Sequence, residues 1–550
     1  MPTLNWIGKE KVINHHRDVP FCVLDHKYSF SSEKGESEEL TNSGNMIIHG
    51  DNLEALKSLL PEYEGKIDCV YIDPPYNTGN EEWSYNDNVN HPKIKKWLGE
   101  VVGKEGEDLS RHDKWLCMIY PRIKLLHRLL SKSGTICISI DDNECSTLRL
   151  LLDEIFGKSK FMGNFVWRRR VGSSMKASWV SLDHEYVLVY SKDPDTAFVL
   201  GDARDMEKYN LKDDDGKKYA SMPLTVGMTK EMRPNQWYAL KHPSSGNEYW
   251  PTEGRVWCYY PPTMEKKIEE NRILWPEDDP KGRRTTPRLK SYPEDAKRDR
   301  KPISTWIEES KNKVNSDDSY IAKVGKNQEG TKILKEIFNK SVFSYSKPVS
   351  LISLITEQFC PPDGILLDSF AGSGTSAHAI CKLNKEDDGN RKFILIEMED
   401  YAKELTYERI KNVILGYGEG SKKVEGTGGS FDYYDLGKQL FIGDNQEYLN
   451  EEISIEKIRK YIWYNETRAA FSNPTNNSES KYFLGLKDQT AYYFCYELDE
   501  ITTLDHDLLA TIKTKAEQYV IYADNCLLSK EFIAKHNVIF KKIPRDITRF

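Results

Sequence analysis

From residue 46 onward, short apolar runs alternate with longer amphipathic ones, a rhythm that predicts a parallel sheet covered by helices. NMIIHGDN reads as a strand and a turn. LEALKSLLPEY, with Leu53, Leu56, Leu59 and Leu60 at helical spacing, reads as the helix that follows. IDCVYI is the next strand. KWLCMIYPRIKLLHRLLSKSG predicts a long helix interrupted at Pro121 and stopped by Gly134, then TICISI a strand ending in DDNE. STLRLLLDEIFG adds a helix, and NFVWRRR and EYVLVYSK two more strands.

The rhythm is lost from about 193 to 340, where RPNQWYALKHPSSGNEYWP and GRVWCYYPP concentrate Trp, Tyr, Pro and charge and no element can be placed. It returns with SLISLITEQFC as a helix, GILLDSF as a strand, SGTSAHAICKLN as a helix, and KFILIEME as a strand leading into the helix DYAKELTYERIKNVI. The Gly-rich stretch that opens residues 416–439 reads as a linker. Beyond it, a helix in EEISIEKIRKYIWYNETRAAF and strands KYFLGL, AYYFCYEL, QYVIYA and NVIFKKI predict a separate C-terminal unit over 440–550. Residues 1–44 read as an extension, and 45–192 with 341–415 as the two halves of one α/β domain interrupted by an insert over 193–340.

Composition narrows the class. With 550 residues, 38% hydrophobic and 30% charged, the chain can bury a substantial core in two or three units. No apolar run reaches 18 residues and MPTLNWIGKEKVINHHRD has no apolar signal segment, so neither a membrane span nor export is expected, and a cytoplasmic location is. The ten cysteines are scattered without a C-x-x-C pair, and Cys69, Cys117 and Cys137 lie in apolar runs; neither disulfides nor a metal site is expected. A net charge of -8 gives no global attraction to nucleic acid. Any such contact must come from a local basic surface. One candidate lies between Arg272 and Lys301, where Lys281, Arg283, Arg284, Arg288, Lys290, Lys297, Arg298 and Arg300 interleave with Trp275 and Tyr292. It reads equally well as a solvated loop or as a phosphate-binding surface, with Arg283, Arg284, Arg288 and Lys290 as candidate DNA contacts.

Two stretches carry chemistry. In LLDSFAGSGTSAHA, Asp368, Phe370, Gly372 and Gly374 turn a strand into a helix where a ligand can approach the backbone. No Gly-Lys-Ser/Thr follows, and the third glycine of G-x-G-x-x-G is missing. Glu397, at the end of the next strand, stands where an acid holds ribose hydroxyls, and turn and acid together favour a nucleoside ligand. In VYIDPPYNTGN, an acid followed by Pro-Pro at the carboxyl end of a strand sets a carboxylate beside a rigid backbone carbonyl with no competing amide donor. Such a pair suits an amino group carrying two hydrogens, and Tyr76 offers a flat face for stacking. A plain strand-to-turn connection, with Asp73 capping the loop and Tyr76 in the core, is the alternative.

Asp73-Pro74-Pro75-Tyr76 together with Asp368-x-Phe370-x-Gly372-x-Gly374 resembles the DNA amino-methyltransferases that use S-adenosylmethionine. The catalytic motif precedes the cofactor motif, the permuted order of their beta class. VYIDPPYNTGNEEWSYND, MIYPRIKLL, ICISIDDNE, HEYVLVYSKD, FSYSKPVSLI and the GRVWCYYPP region resemble the modification (Mod) subunits of type III restriction-modification systems and their solitary relatives, over roughly residues 45–415. The resemblance implies an α/β, Rossmann-like, circularly permuted S-adenosylmethionine-dependent methyltransferase fold with an inserted target-recognition region and a small C-terminal α/β assembly domain. It implies that Asp73 and the Pro74 carbonyl accept from the target amine, with Pro75 in the same catalytic motif, and that Tyr76 stacks on a flipped base. It places Asp368, Phe370, Gly372 and Gly374 in the cofactor motif, Glu397 on the ribose, Lys347 and Pro348 at the amino-acid end, and Asp51 at the cofactor's adenine. The implied partners are double-stranded DNA, a second copy in a homodimer, and a restriction (Res) subunit. Aspartate in the first motif position points to adenine N6. Cytosine N4, RNA or protein-glutamine methylation, and a non-catalytic nucleic-acid-binding module are the alternatives. No Walker A lysine motif or helicase signature occurs, so translocation and cleavage are not expected of this chain.

Overall fold

The computed structural model describes residues 4–77, 111–170, 180–203, 206–279, 282–295, 300–307, 324–443, 446–469, 471 and 480–548. They form two compact units, one running to Leu200 and resuming at Ser304, the other comprising Gly201–Ile303.

An eleven-stranded sheet organises the first unit. Its strands in chain order are β1 (Cys22–Ser31), β2 (Gly35–Ser37), β3 (Met46–His49), β4 (Ile67–Ile72), β5 (Leu130–Ile140), β6 (Phe161–Arg168), β7 (His184–Ser191), β8 (Trp306–Ile307), β9 (Ile365–Asp368), β10 (Lys392–Glu397) and β11 (Ser430–Gln439). Across the sheet the order is β8-β6-β7-β5-β4-β9-β10-β3-β11-β1-β2. From β5 to β11 all pairings are parallel. On one flank β7 runs antiparallel between β5 and β6, and on the other β1 runs antiparallel to β11. The central strands are continuous apolar runs, as a sheet covered on both faces requires: Cys69 to Ile72 and Phe393 to Ile396 are all buried. Helices α1 (Asn52–Tyr63), α2 (Arg111–Leu129), α3 (Cys145–Phe156), α4 (Asn327–Phe338), α5 (Val349–Phe359), α6 (Thr375–Asp387) and α7 (Glu408–Leu415) belong to this unit. This is a Rossmann-like α/β sheet in which β4 precedes its neighbour β9 by some 300 residues of chain.

Several expectations need correction. Helix α2 passes through Pro121 without a break. The roughly 3 kcal/mol that an interior proline costs is offset by burial of Met118, Ile119, Tyr120 and Ile123 around it. Nor does Gly134 stop the helix, because the chain is already strand from Leu130. A Cβ at Gly134 would lie 2.8 Å from the Ile67 carbonyl, next to a register shift between β4 and β5, so the glycine marks a close backbone approach. The expected helix DYAKELTYERIKNVI begins with a 3-10 turn and a π-helical turn over Lys403–Tyr407 before α7.

The linker reading of 416–439 is also incomplete, since 430–439 is β11, paired with β3 and β1. The glycines before it obscured a strand that buries Phe431 and Tyr433. Through β1, part of the N-terminal extension likewise belongs to the sheet. The C-terminal residues are not a separate unit. Helix α8 (Ile455–Thr467) buries Ile458, Tyr461 and Ile462 in the same core as Leu53, Leu56 and Leu60 of α1. Arg128 donates to the Tyr464 hydroxyl at 3.3 Å, and that hydroxyl in turn bonds Glu64. A four-stranded sheet of 483–487, 490–494, 518–523 and 538–542 follows α8. No helix among the described residues is long and apolar enough to cross a membrane.

The second unit, unplaceable from sequence, is built of short strands. Residues 211–212, 218–223, 288–291 and 273–274 form an antiparallel sheet, and Leu224, Leu240, Trp257, Met264, Ile273 and Trp275 form a core. Its strands have two to six residues, too short for a visible period.

Candidate functional site

Parallel pairing aligns the carboxyl ends of β5, β4, β9, β10 and β3, and the candidate acids lie there. Asp73 follows β4, Asp368 closes β9, Glu397 closes β10, Asp51 follows β3 and Asp141 follows β5. Glu185 comes to the same edge from the antiparallel side, because Ile140 at the end of β5 pairs with Tyr186 of β7. A cavity of about 330 Å³ opens at this edge, lined among others by Asp73, Pro74, Pro75, Tyr76, Glu185, Lys347, Phe370 and Gly372. That volume lies within the range of small-molecule sites, about 300–1000 Å³.

Asp73 presents two unlike oxygens. Oδ2 accepts from Lys347 Nζ at 2.8 Å, whereas Oδ1 is buried with no donor among the described residues. Burial pushes the carboxyl upward, opposed chiefly by the Lys347 charge. Trp115 Nε1 donates to the Pro75 carbonyl at 2.7 Å and fixes the turn. No donor among the described residues reaches the Pro74 carbonyl, which leaves it a second acceptor beside Asp73. Tyr76 is 8% exposed and its hydroxyl donates to Glu185 Oε2 at 3.2 Å. Lys347 Nζ lies 4.8 Å over the Tyr76 ring and 3.6 Å from Glu185 Oε2. Burial works against the Lys347 charge, but Asp73 and Glu185 outweigh it and raise its pKa.

The glycine turn is internally braced. Asp368 accepts from Phe370 N–H at 3.0 Å and from Ser376 Oγ at 2.5 Å, closing the passage from β9 into α6. Gly372 has φ 52° and donates its N–H to Glu397 Oε2 at 2.6 Å; Glu397 Oε1 accepts from Glu399 N–H at 3.0 Å. Burial pushes Asp368 and Glu397 each up to about 7, against the hydrogen bonds each accepts. Gly374 has φ 78°, and a Cβ there would sit 3.1 Å from Thr406 Cγ2. The left-handed φ, with tight packing against the π-helical turn, favours glycine at 374, which does not line the cavity.

Other candidates lie farther out. Asp51 caps α1, accepting from Leu53 and Glu54 N–H at 2.8 and 3.2 Å, and it lines neither this cavity nor a cleft of about 10 Å³ beside Glu397. Its neighbour Asn52 does line that cleft, together with Arg122, Ser369, Phe370 and Met398. Pro348 precedes α5 outside the lining. In the second unit, Arg288 binds Ser221 Oγ and carbonyl, both at 2.8 Å, and Lys290 is buried, so both are committed to internal packing. Arg283 is exposed and Arg284 partly so. Lys281, Lys297 and Arg298 lie outside the described residues.

Glu185 and Arg169, 2.7 Å apart at the cavity, were not singled out from sequence. The available signal was an acid amid the otherwise apolar strand run of EYVLVYSK. Arg409 and Ser346 were missed as well.

A family model described as DNA methylase matches residues 67–408. The chain is 32% identical over 413 residues to the StyLTI Mod subunit, a type III restriction-modification enzyme subunit of Salmonella typhimurium, covering 72% of this chain and 58% of that one. It is 28% identical over 454 residues to the EcoP15I Mod subunit of Escherichia coli, covering 73% and 65%. With the type II methyltransferase M.KpnI of Klebsiella pneumoniae it shares 32% identity over 384 residues, covering 67% and 84%. The matches thus span 58% and 65% of those two Mod subunits' own length.

Proposed function

The chain belongs to the N6/N4 DNA methylase family, and on that premise we propose that it transfers a methyl group from S-adenosylmethionine to the N6 amine of adenine in double-stranded DNA. One observation carries this reading. Asp73, whose Oδ1 has no donor among the described residues, and Pro74, whose carbonyl has none among them either, follow one another at the end of β4 and both line the cavity that the glycine turn also lines.

An exocyclic amine on an aromatic ring is a poor nucleophile because its lone pair is delocalised. Accepting its two hydrogens at Asp73 and Pro74 favours a tetrahedral nitrogen and stabilises the positive charge that develops there. Tyr76 supplies the stacking face for a base flipped from the duplex. Lys347 occupies Oδ2 of Asp73 and leaves Oδ1 for the amine, and Glu185 gives the ammonium a second carboxylate nearby.

The residues present fit the cofactor. Gly372 and Phe370 line the open cavity, Ser369 Oγ is buried without a partner, and the Glu397 carboxylate retains lone pairs beyond the two backbone amides it accepts. When bound, S-adenosylmethionine supplies an electrophilic methyl group. Phe370, Gly372 and Lys347 would hold its methionine part, with Pro348 behind, and Glu397 its ribose.

Aspartate before Pro-Pro favours adenine over cytosine N4. We further assign target recognition to the second unit, with Arg283 and Arg284 as its outward candidates for phosphate contact. The names of the Mod relatives support a type III modification subunit; we further propose that it works as a homodimer with a restriction subunit in the cytoplasm. Single-molecule sequencing of genomic DNA from cells with and without the gene tests the assignment. N6-methyladenine at one sequence motif, present only with the gene, is expected; methylation of cytosine N4 alone would refute the base assignment.

A further inference from the structure

Arg409 is a fully buried cation without an anion. Its side chain is 0% exposed, and among the described residues no carboxylate lies within ion-pair distance. Nη1 donates to Ser373 Oγ at 2.8 Å, Thr375 Oγ1 at 2.9 Å, the Ser373 carbonyl at 3.1 Å and Ser346 Oγ at 3.4 Å. Nη2 lies 3.4 Å from His378 Nδ1, and Nε is buried with no partner. Every partner is neutral. Burial pushes the guanidinium down to about 9 and, with Arg409 adding to it, the His378 imidazole well below its usual range. A buried charge left uncompensated destabilises a fold, so this one calls for an anion that no described residue supplies.

The missing anion has a place to sit. Ser346, Ser373 and Thr375, which take the Arg409 hydrogens on their oxygens, also line the cavity with Gly372. Ser346 Oγ contacts Ser373 Oγ at 2.9 Å and Thr375 Oγ1 at 3.1 Å. These two contacts and the bond from Ser346 Oγ to the Lys347 carbonyl engage the three hydroxyl protons, but that last bond, at 3.5 Å, is the longest and the one a ligand carboxylate at the cavity would replace. The same residues stand at the start of α6, a 13-residue helix whose N-cap Gly374 contributes no side-chain cap. Its unsatisfied amides add positive potential at that point. Arg409 itself is set by the π-helical turn, whose Thr406 Oγ1 donates to the Gly372 carbonyl at 2.6 Å.

We infer that Arg409 is a positioning residue for the carboxylate of the cofactor's amino-acid moiety, acting through the hydroxyls of Ser346, Ser373 and Thr375. This rests on the methyltransferase assignment above. It explains why a cation is buried behind a glycine turn. Binding brings a counter-charge that no described residue supplies to this guanidinium.

Two ligands separate the carboxylate from the rest of the cofactor. S-adenosylhomocysteine carries the amino-acid moiety; 5′-methylthioadenosine keeps the nucleoside and thioether but has no carboxylate. Calorimetric titration of the full-length protein with each should show that Arg409→Met weakens S-adenosylhomocysteine by tenfold or more and leaves methylthioadenosine within twofold, with Arg409→Lys in between. Ser346→Ala, which removes one relay hydroxyl without altering a buried charge, should produce the same selective loss, and it decides the matter if the Met variant does not fold. Equal weakening of both ligands, or of neither, in a folded variant overturns the role of Arg409 while leaving the methyltransferase assignment intact. A wild-type protein that binds neither ligand overturns that assignment and the inference with it.

Discussion

The ammonium of Lys347 lies 2.8 Å from Oδ2 of Asp73, on the same carboxylate whose Oδ1 would accept the substrate amine. It is also the charge that chiefly opposes the upward push of burial on the Asp73 carboxyl. Lys347→Met should therefore move the acid limb of the kcat/KM profile to higher pH. The sign follows from chemistry: only the ionised carboxylate accepts, and without Lys347 it ionises later. An acid limb that stays in place would show that Lys347 does not set it.

Asp73→Ala should lower kcat by on the order of 100-fold or more and leave S-adenosylmethionine affinity within a few fold, because Asp73 acts on the target amine. Gly372→Asp should do the reverse. It places a second carboxylate beside Glu397 at a residue with φ 52°, and cofactor binding should be lost. Titration calorimetry on both variants distinguishes the two subsites; equal loss of cofactor binding would mean that they are not separate.

Asp368 and Glu397 give the fold a pH signature. Both are raised to about 7 by burial, from ordinary values near 4. The folded chain therefore holds more protons than the unfolded chain between about pH 4 and 7, and the unfolding free energy falls as pH rises through that window. Asp368→Asn preserves an acceptor for the Phe370 amide and removes one of the two contributions. Denaturant midpoints measured across the window should vary less with pH in the variant; an unchanged slope would contradict the assignment.

Removing residues 440–550 should unfold the catalytic unit rather than release an independent module. Tyr461 is 1% exposed in the core that α8 shares with α1, and its ring lies 4.7 Å from that of Phe21. Tyr461→Ala alone should cost about 3–5 kcal/mol, as truncations of large buried aromatics do. Thermal unfolding checks this, and a truncated protein with an unchanged transition would show that the C-terminal residues are dispensable.

The central sheet was legible in the sequence because its strands are uninterrupted apolar runs and the helices between them keep a clear period. The carboxylates of Asp73, Asp368 and Glu397 were legible for the same reason, since each ends such a run. What was hidden depends on partners distant in the chain. Gly134 looked like a helix stop until Ile67 lay against it, and β11 looked like a linker because the stretch opens with glycines. Glu185 reaches the site only through antiparallel pairing with β5. Arg409, inside an ordinary amphipathic pattern, gave no sign of burial. Lys290, within a basic cluster, gave no sign of it either.

The most direct test is incubation of the purified protein with methyl-labelled S-adenosylmethionine and duplex DNA of mixed sequence, followed by nucleoside analysis. Label should appear in N6-methyladenine and be absent with Asp73→Ala. Label confined to N4-methylcytosine, or no label in DNA from a folded protein that binds S-adenosylmethionine, would contradict adenine methylation at the Asp73 site.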